Sequence, residues 1–137
     1  MPQLPEPAPA IAAPISPGTY VRLRREALGI TLDDLSLCLE TAPPISARTR
    51  AEWLAQMEAD TAPISMLSGL AIADIVRFDL VVLSRLIAVD DGARDVLVPA
   101  LCRRCACSEM DACDGGCSWA EPDLCSVCAS AVESLAA

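Results

Sequence analysis

The chain has 137 residues, a net charge of −9, ten arginines and no lysine or histidine. The negative balance argues against a protein that coats nucleic acid nonspecifically. The absence of histidine removes the usual base of a Ser–His or Cys–His nucleophile, so no enzyme is expected.

Residues 1–17 hold six of the eleven prolines and no periodic pattern, which predicts a disordered Pro/Ala-rich arm. The first residues show no basic start and no apolar run, so no signal peptide is read there. The expected location is the cytoplasm of a bacterial host cell, with the virion as the other candidate.

Residues 18–92 carry helical periodicity. Tyr20, Leu23, Ala27 and Leu28 share one face of a first helix that Gly29 ends. Thr31 caps a second helix with Asp34 three residues on, a near capping box, and Leu32, Leu35 and Leu39 form its buried stripe. Cys38 is read as a small core residue of that helix. Pro43 and Pro44 break the chain before a third helix that follows Ser46 and turns Trp53, Leu54 and Met57 inward. A fourth helix is expected over Met66–Val76 and a fifth, capped by Asp79, over Leu80–Val89. Asp74, Arg77, Asp79 and Arg85 interrupt the most apolar stretch at the spacing of a wet helix face, so no membrane span is predicted. Val96–Leu101 reads as a short, extended lead into the cysteines, and one or two helical turns are expected after Cys128.

Residues 93–137 form a Cys-rich module. Seven of the eight cysteines lie between Cys102 and Cys128, and two Cys-x-x-Cys pairs, 102/105 and 125/128, bracket 19 residues. That is the spacing of a structural zinc site with four thiolates, Cys102, Cys105, Cys125 and Cys128. So short a segment cannot bury enough apolar surface by itself, and a metal can substitute for a core. Cys107, Cys113 and Cys117 are then one sulfur short of a second site. Two tetrahedral zincs need eight ligand positions, so seven sulfurs suffice if one thiolate bridges. Otherwise Asp111 or Asp114 supplies an oxygen, or the three remain thiols. An iron–sulfur cluster is the alternative thiolate-only cofactor, and disulfides are disfavoured by the odd number of clustered cysteines. Gly115-Gly116 allows a sharp turn between Cys113 and Cys117, and Trp119 is expected to cap the metal site. With two arginines against six acids after residue 101, the module suits a protein partner better than DNA. A homo-oligomer is also compatible.

Two resemblances add to this reading. The run Tyr20-Val-Arg-Leu-Arg-Arg-Glu-Ala-Leu-Gly-Ile-Thr-Leu-Asp-Asp-Leu35 resembles the first two helices of the Cro/repressor-type (XRE-like) helix-turn-helix family. Ser46-Ala-Arg-Thr-Arg-Ala-Glu-Trp-Leu-Ala-Gln-Met-Glu58 is similar to that family's recognition helix, where a late Glu commonly precedes a Gly. The resemblance implies a DNA-binding transcription regulator in which Arg48, Thr49 and Arg50 face the major groove and Arg22, Arg24 and Arg25 touch phosphates. The competing reading pairs these arginines with Glu26 and Glu52 on a solvated face. The spacing Cys-x2-Cys-x-Cys-x5-Cys-x3-Cys-x7-Cys-x2-Cys, with Gly116, Trp119 and Pro122-Asp-Leu-Cys125, resembles a zinc-finger-like motif of small bacteriophage and prophage proteins.

The expectation is therefore a mainly α protein, with about five helices in a helix-turn-helix-like domain followed by a small zinc-binding module. Its expected function is that of a phage-type regulator that binds DNA and contacts protein through the zinc module. The alternatives are a non-DNA adaptor or virion-associated protein, and an iron–sulfur sensor.

Overall fold

The computed structural model describes residues 14–136. The arm expected at residues 1–17 lies mostly outside these, and its last residues, Ser16 and Pro17, cap and begin the first helix. Six helices and one two-stranded sheet follow in chain order: α1 (Pro17–Ala27), α2 (Leu32–Cys38), α3 (Ala47–Glu58), α4 (Met66–Ala73), α5 (Leu80–Asp90), β1 (Trp119–Glu121), β2 (Leu124–Cys125) and α6 (Ser126–Ala136). The molecule is mainly helical, with seven of its eight cysteines gathered near its C-terminal end. No helix among the described residues is long and apolar enough to cross a membrane.

The start of each of the first five helices is fixed by a side chain that accepts an otherwise unpaired N–H of the first turn. Ser16, Thr31, Ser46, Ser65 and Asp79 do this for α1 to α5. At Thr31 the box is complete, because Asp34 also accepts from the Thr31 N–H at 3.3 Å. Helix α4 stops at Ala73, short of the expected Val76, and α6 begins at Ser126 and runs longer than the expected one or two turns. Val96–Leu101 forms no strand.

The helical core collects Tyr20, Leu35, Leu54, Met57, Ile72, Val76, Leu83 and Leu86, all at most 2 % exposed. Tyr20 sits at its centre, edge-on to Phe78 with ring centroids 5.8 Å apart, and its hydroxyl accepts the Asp79 N–H at 3.0 Å. Burial of that phenol pushes its pKa up to about 12. Trp53 is half-buried against the same core. Cys38, by contrast, is exposed. At 3.6 residues per turn it falls on the opposite side of α2 from buried Ser36, and the extended Leu39 that follows takes the inward position instead.

Two contacts tie α1 to the end of α3. The N–H of Gly18 donates to Asp60 Oδ1 at 3.0 Å, and the Ser16 hydroxyl donates to the other oxygen. A Cβ at residue 18 would lie 2.1 Å from the Met57 carbonyl oxygen, so only glycine admits this approach. Asp60 itself has φ +60°, a left-handed conformation that aspartate tolerates better than most residues.

The second tie is the Arg25–Glu58 pair. Arg25 Nε and Nη2 donate to the two Glu58 oxygens at 2.8 and 2.7 Å, and Nη1 donates to the Ile30 carbonyl at 2.7 Å. Both side chains are buried. Removing one partner strands the other charge, so Glu58→Ala should cost about 3–5 kcal/mol in urea unfolding of the metal-loaded protein. The double replacement Arg25→Met with Glu58→Leu should recover most of that loss, because it removes both desolvation penalties at once.

Candidate metal centre

The cysteine segment is wound by its own backbone. Leu101 packs into the helical core, and Cys102 then enters a tight turn in which the Ala106 N–H donates to the Cys102 carbonyl at 2.8 Å. The Cys102 N–H donates to the Cys107 carbonyl at 3.1 Å. Ala106 has φ +59° and is buried, also against the helical core. Gly115 and Gly116, at φ +82° and +86°, turn the chain back between Cys113 and Cys117 as expected. The hairpin β1–β2 pairs Trp119 with Cys125 and Glu121 with Leu124, which returns Cys125 to the first knuckle. Arg103 fastens this return: its N–H donates to the Asp123 carbonyl at 2.8 Å, and its guanidinium spans Glu121 and Asp123. Helix α6 then starts at Ser126 and carries Cys128 on its first turn.

The seven sulfurs form one continuous cluster. Cys102, Cys105, Cys125 and Cys128 place their Sγ atoms within 4.8 Å of one another and could hold a metal ion. A second set, Cys105, Cys107, Cys113 and Cys125, meets the same limit. The sulfur–sulfur contacts are 3.8 Å for 105–113, 105–125 and 107–117, and 3.9 Å for 113–125. Tetrahedral coordination with metal–sulfur bonds of about 2.3 Å separates sulfurs by about 3.8 Å, whereas disulfide sulfurs lie at about 2.0 Å. All eight cysteines are free. Cys102, Cys107 and Cys125 are buried, with only Leu124 and half-buried Trp119 and Ala129 as apolar company.

Burial resists ionisation at Cys102, Cys105, Cys107, Cys113, Cys125 and Cys128, but hydrogen-bond donors overcome it at two of them. Cys125 is brought down to about 6, against its burial, by the Cys128 N–H, which donates to its Sγ at 3.4 Å, and by the neighbouring thiols of Cys128, Cys107 and Cys102. Cys102 is also lowered, by the Cys125 N–H at 3.5 Å and by further amides of its own turn. Cys113 is pushed up to about 12, first by burial and then by charge on Cys105. Cys105, Cys107 and Cys128 are raised as well, by burial first; neighbouring sulfurs add to it at Cys107 and Cys128, while donors from Cys107 partly offset it at Cys105. Thiolates this close repel one another, so the cluster cannot carry its full negative charge unaided. A divalent cation reverses that balance and deprotonates the thiols it binds.

The carboxylates weighed as ligands are placed otherwise. Asp111 pairs with Arg24, its Oδ2 3.3 Å from Nη2, and Asp114 is exposed. Trp119 packs against the cysteines, as expected of a cap.

The arginines weighed for DNA divide into two groups. Arg24, expected at phosphates, is buried: its Nη1 donates to the Cys105 carbonyl at 3.2 Å, and it joins α1 to the cysteine turn. Arg25, expected there too, is spent on Glu58. Arg50, expected in the groove, donates to the carbonyls of Ser36 and Ile45 at 2.7 and 2.6 Å and pins the proline-rich loop between α2 and α3. In each of the three the guanidinium is engaged by internal oxygens, which competes with the expected role. Arg22 and Arg48 are solvent-facing and pair with Glu26 and Glu52 one turn on. Thr49 is exposed beside the Ser46 cap, whose hydroxyl lies 2.9 Å from its own. The Arg24 bridge was not legible in the sequence, since its partners lie 81 and more residues away.

Comparison with protein-family models, with curated proteins and with solved structures finds no match for this chain.

Two substitutions separate the cluster from its bracket. Cys102→Ser should lower the bound-metal content and expose residues 101–131 to protease, since a structural ion in a small finger contributes about 10–16 kcal/mol. Arg24→Ala should leave the metal content unchanged and cost about 1–3 kcal/mol, because it leaves the Cys105 carbonyl without its donor. Elemental analysis with limited proteolysis reads the first effect, and urea unfolding the second.

Proposed function

We propose that this chain is a non-catalytic regulatory adaptor of phage or prophage type. In this reading a helix-turn-helix-like domain docks on a protein, and a zinc-loaded cysteine module holds that domain rigid. A site saturated by thiolates, in a chain without histidine, suits structure rather than hydrolysis.

The observation that carries the adaptor reading is the use of the arginines. Arg24, Arg25 and Arg50 are consumed by internal partners, and Arg22 and Arg48 each have a carboxylate beside them. The groove between α2 and α3 is lined by Leu37, Ala51 and Ala55, with Asp33 and Glu52 against a single Arg48. Leu37 is 70 % exposed there. An apolar lining with net negative charge fits an amphipathic helix with basic flanks better than a phosphate backbone.

One observation favours the DNA reading: Arg48 is 91 % exposed at the start of α3, where the helix-turn-helix resemblance puts a base contact.

Fluorescence anisotropy on DNA fragments at low salt distinguishes the two. The adaptor reading expects no site-specific binding and no change with Arg48→Ala; tight, steeply salt-dependent binding that Arg48→Ala abolishes would replace it with the DNA reading. A photo-crosslinker at Ala51 should yield one discrete protein adduct in the host, weakened by Leu37→Asp at unchanged metal content. Protein purified without chelator should be colourless and contain zinc. A brown anaerobic preparation would instead establish an iron–sulfur protein.

A further inference from the structure

We infer that the cysteine cluster holds two metal ions side by side, bridged by the thiolates of Cys105 and Cys125. Cys102 and Cys128 complete the first ion's set, and Cys107 and Cys113 complete the second's. The inference rests on the structural-metal reading above and extends it to a second ion.

Three observations converge on this arrangement. First, the two four-sulfur sets have two members in common, and those members, Cys105 and Cys125, are 3.8 Å apart. Two tetrahedra that share an edge need a shared pair of sulfurs at about that separation. Second, Cys105, Cys113 and Cys125 form a triangle with sides of 3.8, 3.8 and 3.9 Å, which is one face of the second tetrahedron. Cys107 lies within 4.8 Å of all three as its fourth corner. Third, Ala106 adopts a left-handed φ of +59° between Cys105 and Cys107. That conformation is uncommon for a residue with a Cβ, and it persists where surrounding structure over-determines it. Its effect here is to bring the sulfurs of Cys105 and Cys107 into the same cluster.

Six thiolates around two divalent ions leave a net charge of −2, the same as four thiolates around one. Entry of the second ion therefore adds no net charge to a buried site. It binds as the Cys107 and Cys113 thiols each release a proton to solvent, so the two positive charges gained equal the two protons lost.

Cys117 is left as a thiol in this scheme. It contacts Cys107 at 3.8 Å but belongs to neither four-sulfur set, and it borders a cleft shared with Glu109, Ser118 and Trp119.

The test is titration of the reduced, metal-free full-length protein with cadmium-113 and, separately, with cobalt(II) under anaerobic conditions. The expected result is saturation at two equivalents, with two cadmium resonances that each split the other through the bridging sulfurs. The cobalt paramagnetic signal should rise through the first equivalent and fall through the second as the bridged ions couple. Cys117→Ser should keep two equivalents and the splitting, whereas Cys107→Ser should bind one. Saturation of the parent protein at one equivalent would overturn the inference and leave the structural-metal reading standing, while no metal uptake would overturn both. Two uncoupled resonances, or loss of one equivalent in Cys117→Ser, would also overturn it, the latter by making Cys117 a ligand and the bridge single.

Discussion

Sulfur crowding is the constraint from which the C-terminal part of this molecule follows. Seven side chains of one chemical kind converge in a region whose buried apolar content is little more than Leu124 and part of Trp119. Hydrophobic burial at about 25 cal/mol per Å² cannot hold so small a segment together. The thiols cannot do so as anions either, because charge on Cys102 opposes ionisation of Cys105, and charge on Cys105 opposes that of Cys107, Cys113 and Cys128. A cation bound there would supply the missing attraction and give the segment a reason to fold. The turns at Ala106, Gly115 and Gly116 are the backbone's accommodation to that requirement.

Adjacent residues on α1 connect this cluster to the helices. Arg25 faces α3 and closes on Glu58, while Arg24, about 100° further round the helix, reaches the Cys105 carbonyl and Asp111. Leu101 and Ala106 enter the helical core from the cysteine side. The boundary drawn at residues 92 and 93 therefore separates two patterns in the sequence, but α1 contacts both sides of it. Arg24 Nε has no hydrogen-bond partner although buried, which marks this junction as polar and incompletely satisfied.

Much of the helical part was legible because its signals are local. Ser46, Thr31 and Asp79 announce helix starts by a chemistry confined to three or four residues, and the 3.6-residue stripe named Leu35, Leu54 and Met57 as core. Cys38 misled because α2 is only seven residues long, so one extended residue at its end decides which side chain turns inward. The spacing of the two Cys-x-x-Cys pairs picked out Cys102, Cys105, Cys125 and Cys128, whose sulfurs the fold brings within 4.8 Å of one another, since a knuckle is a local turn. What spacing could not show is that Cys105 and Cys125 belong to two sets at once, because that depends on the hairpin bringing residues 20 apart into contact. Arginine roles were the least legible of all. A guanidinium on α1 looks alike in sequence whether it faces phosphate, a carboxylate 33 residues away or a carbonyl 81 residues away.

Those arginine roles also bear on how the two parts act together. The Arg24 guanidinium donates to the carbonyl of Cys105, a residue common to both sulfur sets. An empty cluster would lose the bonds that fix the Cys102–Cys107 turn, and Arg24 would lose a fixed acceptor with it. Arg24 would then be a buried cation facing Asp111 alone, an arrangement that costs stability when its geometry loosens. Arg25 follows directly in the same helix, and its partner Glu58 ends α3, the helix that lines the groove with Ala51 and Ala55. The chain of contacts from sulfur to groove thus runs through α1, by the Arg24–Cys105 and Arg25–Glu58 hydrogen bonds on adjacent residues. This is why the proposed adaptor surface is expected to depend on metal occupancy although no cysteine of the cluster lines it.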